Sequence, residues 1–163
     1  MNLRKIFNAK NFKFILESIV SLSIVASIFF LAFELRQNTI SIQLSNRQSA
    51  MEMGNEWDSW IKDRSFADTY TLALNDFSSL SPAQKLQVDK YISQGLNIWE
   101  FVFGNLKDGV IEESQFIAWD RFFTEEFKNN RLWQLIWDQK KNAYEERFQD
   151  HINLIMGKKD KLK

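Results

Sequence analysis

Cysteine is absent from the 163-residue chain. Its absence excludes disulfide frameworks, thiolate zinc sites and cysteine nucleophiles. It leaves the redox compartment open, because a chain without thiols suits either side of a membrane. Proline occurs once and glycine five times, which favours long regular elements over a fold rich in loops.

Signatures of catalysis and metal binding are also scarce. The single histidine, His151, excludes a di-iron bundle with two Glu-x-x-His motifs, and we expect it to be a surface residue beside Asp150. No glycine-rich loop is present to hold a phosphate. The stretch KDGVIEESQF at 107–116 is similar to a calcium-binding loop only in its turn, because most of the required carboxylates are missing. We therefore predict no catalytic, cofactor-binding or metal-binding residues. These absences favour a protein that is not an enzyme.

The formal net charge of zero is unevenly distributed along the chain. Residues 1–13 form a basic flank without any acid, and residues 157–163 form a short basic tail. Residues 34–156 contain 13 Lys and Arg against 19 Asp and Glu, a balance of −6. A body of this sign repels phosphate backbones, so nucleic acid is not an expected partner.

Residues 14–33, called the apolar segment below, contain 13 Phe, Ile, Leu or Val residues and one charged residue, Glu17. A helix of this length spans roughly 30 Å, the thickness of the hydrocarbon core of a bilayer. Each central apolar residue favours insertion by about 0.3–0.6 kcal/mol, whereas an acid at mid-helix costs about 3 kcal/mol. Glu17 lies in the first turn and can reach the headgroups, so the sequence predicts a transmembrane helix.

A retained span has two alternatives, a cleaved signal peptide and a buried helix of a soluble protein. A cleaved signal peptide has an apolar core of about 7–15 residues and a small-x-small cleavage site, whereas this run continues to Phe33 and meets Glu34-Leu35-Arg36. A buried helix of a soluble protein usually alternates apolar with polar positions, and the four serines of the segment are only mildly polar. A retained anchor is the favoured interpretation.

The basic flank predicts the orientation of the anchor. Positive charge is concentrated before the segment, and only Arg36 and Arg47 follow it closely. This places the N-terminus in the cytoplasm and the body across the membrane. In a bacterium the anchor would lie in the cell (inner) membrane and the body outside it. The residues expected at the membrane interface are Arg4, Lys5, Lys10, Lys13, Glu34 and Arg36.

The rest of the chain predicts an all-α fold. Residues 34–64 form a long connecting helix, with a break near Asn38-Thr39 or Gly54 as the alternative. Residues 65–156 form a small helical bundle. In it, Ser81, Pro82 and Gln84 predict a capped helix start, and a last helix extends from Asn130 to about residue 155.

Phe and Trp recur at helical spacing along the predicted bundle, which is typical of a core packed with aromatic rings. A body of this size has a limited interior, so some rings are expected on a surface that a partner covers. If the bundle instead holds a ligand or a reaction centre, the pocket is expected at Trp99, Glu100 and Trp119.

The junction Glu34-Leu35-Arg36-Gln37-Asn38-Thr39 resembles a motif of uncharacterised bacterial proteins. Those proteins have one N-terminal hydrophobic segment, then Glu-[aliphatic]-Arg-Gln-Asn-Thr, then a helical body. The resemblance implies a layout and no activity. It assigns no catalytic role to Glu34 or Arg36, whose charged heads are expected to set the depth of the span.

The first functional hypothesis is a single-pass membrane protein whose helical body is an interaction or scaffold module. The lipid bilayer is then one partner, and another protein or a second copy of the chain is the other. The alternative is a membrane-tethered enzyme or small-ligand sensor, and a toxin acting on the membrane is a third possibility.

Overall fold

A computed structural model describes the backbone of residues 9–157 and the side chains of residues 11–157. The described part is built from six α-helices and has no strand. These are α1 (Ala9–Lys62), α2 (Arg64–Asp76), α3 (Pro82–Lys107), α4 (Glu113–Asn129), α5 (Arg131–Lys140) and α6 (Glu146–Ile155). Two single 3-10 turns follow α2 and α5, at Phe77–Ser79 and Lys141–Ala143. The predicted all-α fold is confirmed.

Helix α1 is continuous through Asn38-Thr39 and Gly54, so the alternative of a break there is wrong. It is long and apolar enough to cross a membrane, by length and composition. The chain divides into two compact units, residues 1–42 and residues 43–163. The last turns of α1 therefore belong to the second unit, and part of the segment predicted as a connecting helix packs with α2–α6. We call residues 43–157 the bundle.

Three helices of the bundle begin at residues whose side chains accept a backbone N–H. The Oδ1 of Asp63 accepts from the N–H of Phe66 (2.8 Å) and caps the start of α2. Ser81 and Gln84 exchange the reciprocal bonds of a capping box at the start of α3, as predicted. Asn130 accepts from the N–H of Leu132 at the start of α5, also as predicted.

The predicted single helix from Asn130 to residue 155 is wrong, because the structure divides it into α5 and α6. The chain leaves the helix at Lys141–Ala143 and is extended at Tyr144 and Glu145. This turn allows Trp137 of α5 and Phe148 of α6 to face one another, with ring centroids 5.8 Å apart. Both rings are fully buried, which one straight helix could not achieve for two successive apolar faces.

The core of the bundle is a continuous cluster of aromatic and aliphatic side chains. The fully buried rings are Trp99, Phe123, Phe127, Trp133, Trp137 and Phe148. Phe123 lies at the centre, stacked on Trp99 at 5.7 Å and on Trp119 at 6.0 Å between centroids. The aromatic stripes of the sequence are therefore mainly core, as predicted.

Trp57 joins helix α1 to this core by a ring stack and a hydrogen bond. Its indole stacks on Tyr91 of α3 at 4.9 Å and donates from Nε1 to the backbone oxygen of Tyr91 at 2.9 Å. Gly95 lies one turn further along α3, where a Cβ would be 3.2 Å from Cε2 of Trp57 and 2.6 Å from Cη2 of Trp133. The missing side chain exposes the helix backbone to both indoles, so this glycine is required by close packing.

Candidate functional site

All 13 Phe, Ile, Leu and Val side chains of the apolar segment are between 48% and 73% exposed. They lie on every side of α1. An amphipathic helix that docks on a protein hides one face and leaves the opposite face polar. Here every face is apolar and uncovered, which is the surface of a helix suited to a hydrophobic surrounding on all sides.

The polar groups of this segment are satisfied within the helix itself. Each of its four serine hydroxyls, those of Ser18, Ser21, Ser23 and Ser27, donates to the carbonyl oxygen four residues earlier, at 2.7–2.9 Å. Its single acid, Glu17, lies 3.8 Å from Nζ of Lys13 one turn before it. Such bonds matter most where no water is available to replace them.

The residues predicted at the membrane interface are described only in part. Arg4, Lys5 and the side chain of Lys10 lie outside the described residues, as does the basic tail from Lys158. Lys13 is exposed at the start of the segment. Glu34 and Arg36 are exposed on α1 directly after it.

A polar cluster at Asp120 joins three helices of the bundle. Oδ1 of Asp120 on α4 accepts from Nε1 of Trp99 on α3 at 2.8 Å, and Nε2 of His151 on α6 lies 2.7 Å from the same oxygen. The side chains of Asp120 and His151 are only 24% and 18% exposed. Burial alone raises the pKa of the Asp120 carboxyl, but the bonds from His151 and Trp99, with the charge of His151, outweigh it and hold that pKa below 3.8.

The expectation that His151 is a surface residue beside Asp150 is wrong. His151 lies one turn after Phe148 and one position before Ile152, both fully buried, so the helical period turns it inward. Its ring packs against Phe103 at 4.8 Å between centroids. Asp120 was missed in the sequence, although it follows the buried Phe116 by one turn and precedes Phe123 by almost one turn on the same face of α4.

The three residues of the expected pocket do not line one cavity. Trp99 is fully buried in the core. Glu100 points to the start of α6, where its Oε1 accepts the N–H of Glu145 at 2.7 Å; burial raises the pKa of this carboxyl, and the charge of Glu145 adds to the effect. No side chain of α6 itself caps that end, so Glu100 acts as its cap from another helix. Trp119 alone lines an open cavity.

That cavity, called the cleft below, has a volume of about 220 Å³ and lies between α1, α3 and α4. Its apolar walls include Ala50 and Val102, both buried, and the half-buried ring of Trp119. Trp119 can stand against α1 because Gly54 faces it: a Cβ at Gly54 would lie 2.9 Å from Cη2 of Trp119. Two small residues one turn apart on α1 thus create the hollow and position its aromatic wall.

The polar part of the cleft consists of one cation and three amides. Nδ2 of Asn46 donates to Oδ1 of Asn105 at 2.7 Å, which links α1 to α3 at the cleft. Arg47 and Gln115 also line it, and neither side chain forms a hydrogen bond or ion pair within the described structure. Nothing in the sequence pointed to these residues, because amides and one arginine form no recognisable motif.

A larger, open groove of about 960 Å³ lies between the end of α2 and the start of α5. Leu74, Leu132 and Leu135 contribute apolar surface to it. Lys85 and Arg131 are its cations, against one acid, Asp76. We call it the α2–α5 groove.

Two further polar contacts have structural roles. Nζ of Lys140 on α5 pairs with Asp89 of α3 and donates to Oγ of Ser93 at 2.9 Å. Asp108, in the stretch similar to a calcium loop, lies 3.6 Å from the guanidinium of Arg147. No group of three or more potential metal-ligating side chains occurs in the described part of the chain.

Comparison with protein-family models, curated proteins and solved structures finds no match to this chain.

Proposed function

We propose that this protein is a single-pass membrane protein, anchored by the apolar segment, whose bundle is an interaction module. The observation that supports the anchor is the segment's uncovered apolar surface, together with serine hydroxyls that are bonded within the helix. Lipid is the partner that covers all sides of one helix at once. A single helix of another protein would cover one side and leave exposed phenylalanines on the other.

The orientation follows from the basic flank. Positive charge is concentrated before the segment, so the N-terminus stays in the cytoplasm and the bundle lies outside the membrane. The cell membrane of a bacterium is the proposed location, in keeping with the resemblance at the Glu34–Thr39 junction.

The experiment is fractionation of the full-length chain with a C-terminal tag, expressed in a bacterial host. We expect the uncleaved chain in the membrane pellet after a carbonate wash, and protease added to spheroplasts to remove the tag. Recovery in the soluble fraction, or of a shortened chain, contradicts the anchor. A tag protected until the membrane is permeabilised contradicts the orientation only.

The α2–α5 groove is the surface that supports an interaction role. Its volume of about 960 Å³ is at the upper end of the range of about 300–1,000 Å³ for pockets that enclose a drug-sized molecule, and several side chains of a partner occupy a similar space. The groove has two cations and one acid, whereas residues 34–156 as a whole carry a net charge of −6. Charge complementarity therefore favours an apolar, acidic segment of another protein as the occupant.

A photo-crosslinking residue in place of Leu135 tests this. We expect one discrete adduct, which disappears when Arg131 and Lys85 are replaced by Glu and persists when the exposed Arg121 outside the groove is replaced. The same crosslinker at the exposed Leu154 of α6, which does not line the groove, is the matched control. An acidic partner in the groove is contradicted if the adduct persists in the charge-reversed variant. It is also contradicted if the adduct joins two copies of this chain.

A further inference from the structure

We propose that the cleft binds a small apolar carboxylate, such as a single-ring aromatic acid. This goes beyond the anchored interaction module and does not depend on it, because every residue that lines the cleft belongs to the bundle.

The size of the cleft sets the size of the ligand. A dry apolar cavity of roughly 150 Å³ is enough to bind benzene. The cleft offers about 220 Å³, which leaves room for one ring and a carboxylate but is small for a cofactor or a peptide. Ala50 and Val102 form apolar walls and the ring of Trp119 forms another, so an aromatic ring finds apolar and aromatic contacts inside.

The charge of the cleft sets the chemistry of the ligand. Arg47 is the single charged residue among the described residues that line it. Its helical neighbours at three and four positions in both directions are Gln43, Leu44, Ala50 and Met51, none of which is acidic. The side chain of Arg47 is exposed and has no ion-pair partner in the described structure, so its guanidinium is open to a ligand at the mouth of the cleft. A guanidinium beside an aromatic wall is suited to a carboxylate with an apolar ring.

The amides complete the site. The side chain of Gln115 has no hydrogen-bond partner among the described residues and can donate to the second carboxylate oxygen or to a water beside it. Asn46 and Asn105 bond to each other, and Nδ2 of Asn105 also donates to the carbonyl of Phe101 at 2.9 Å. This pair holds α1 against α3, so the cleft is formed before a ligand arrives.

The test is a titration of the full-length chain with benzoate and with benzamide as its uncharged equivalent, in nanodiscs of neutral lipid if fractionation finds the chain in the membrane and in buffer if it finds the chain soluble. The readout is the indole N–H signal of Trp119 in ¹H–¹⁵N spectra, assigned from a Trp119→Phe variant. We expect saturable shifts with benzoate and binding weaker by about tenfold with benzamide.

Three variants locate the site. Arg47→Gln is expected to weaken benzoate by about tenfold and to remove the preference over benzamide. Ala50→Leu fills the cleft and is expected to abolish both titrations, whereas Arg121→Gln, outside the cleft, leaves both unchanged. Thermal unfolding of each variant is the control that tests whether the bundle stays folded. Absence of benzoate binding, equal binding of benzamide, or unaltered affinity in Arg47→Gln or Ala50→Leu overturns the proposal, whatever the fractionation result.

Discussion

The polar contacts of the apolar segment lie within one helix, whereas the bundle has local bonds of the same kind, as from Thr69 to the carbonyl of Ser65, and adds contacts between helices. In the segment, Ser23 and Ser27 donate to the carbonyl one turn earlier, and Glu17 pairs with Lys13 one turn earlier. In the bundle, Asp120 receives bonds from two other helices. The segment is thus complete as a single helix, whereas the bundle depends on tertiary contacts. A helix complete by itself is what a bilayer requires.

The largest expected effect comes from charging the exposed apolar side chains of both regions. Ile24 and Leu72 are equally exposed, at 56% and 54%, but we expect the first to face lipid and the second water. Replacing Ile24 and Ile28 together with Lys costs about 6 kcal/mol of insertion free energy, since one central Lys costs about 3 kcal/mol. Most of the expressed protein should then be absent from the carbonate-washed membrane pellet.

The matched control replaces Leu72 and Leu86, exposed side chains of the bundle, with Lys. In water this exchange should change stability by less than about 0.5 kcal/mol per site and leave fractionation unaltered. Identical behaviour of the two double variants would remove the distinction between the regions.

The next effect concerns the tertiary hydrogen bonds of the bundle. Asp120→Ala leaves the indole N–H of the fully buried Trp99 without an acceptor, so we expect the free energy of unfolding to fall by about 1–3 kcal/mol. Asp150→Ala removes the exposed acid next to His151 in the chain. Its free energy of unfolding should fall by less than about 0.5 kcal/mol. Chemical denaturation of both variants measures the difference. Equal losses would contradict the assignment of Asp120 as the partner of His151.

The same cluster predicts a pH dependence. The pKa of Asp120 is below its ordinary value of 3.8 in the folded state, so the carboxylate stabilises the fold fully above that value. This contribution is lost as the pH falls from 3.8 through the lower folded pKa. The stability difference between the native chain and Asp120→Asn should therefore narrow below pH 3.8 and stay constant just above it, as followed by denaturant midpoints across pH. A difference that grows on acidification would contradict the sign.

Close packing distinguishes two glycines of the same helix, α3. A Cβ at Gly95 would meet the buried rings of Trp133 and Trp57, whereas a Cβ at Gly104 meets nothing within 4 Å. Gly95→Ala should destabilise the bundle, because overpacking costs about 1–3 kcal/mol and outweighs a gain in helix propensity near 1 kcal/mol. Gly104→Ala should stabilise by about 0.5–1 kcal/mol. Thermal unfolding compares them; a shift of the same sign in both would show that the Gly95 contact is loose.

The smallest effect concerns Glu100, which caps α6 from α3. Its pKa is raised above the ordinary 4.5, so ionisation above the raised value costs stability. Glu100→Gln keeps an acceptor for the N–H of Glu145 without the charge, and we expect equal or slightly higher stability at pH 7. Glu100→Ala removes the acceptor and should lose about 1 kcal/mol. Denaturation at pH 7 and pH 5 separates the two; a loss in Glu100→Gln as large as in Glu100→Ala would show that the charge itself is needed.

Helix starts were predictable where the necessary groups lie close together in the chain. Ser81, Gln84 and Asn130 bond to residues two or three positions away, so local chemistry identified them. The split between α5 and α6 was not predictable in this way. It depends on Trp137 and Phe148 packing on each other and on Glu100, which is far away in sequence. The cleft was also missed, apart from Trp119, because its residues come from three helices.

The amino-acid sequence by itself determined the helical class, the apolar segment and the uneven charge, because each depends on residue types and on spacings of a few positions. Only the tertiary structure decided that His151 pairs with Asp120, that Glu100 caps α6, and that Arg47 faces a hollow beside Trp119. These outcomes arise from the packing of separate helices, where a side chain's partner is the nearest group in space and not the nearest in the chain.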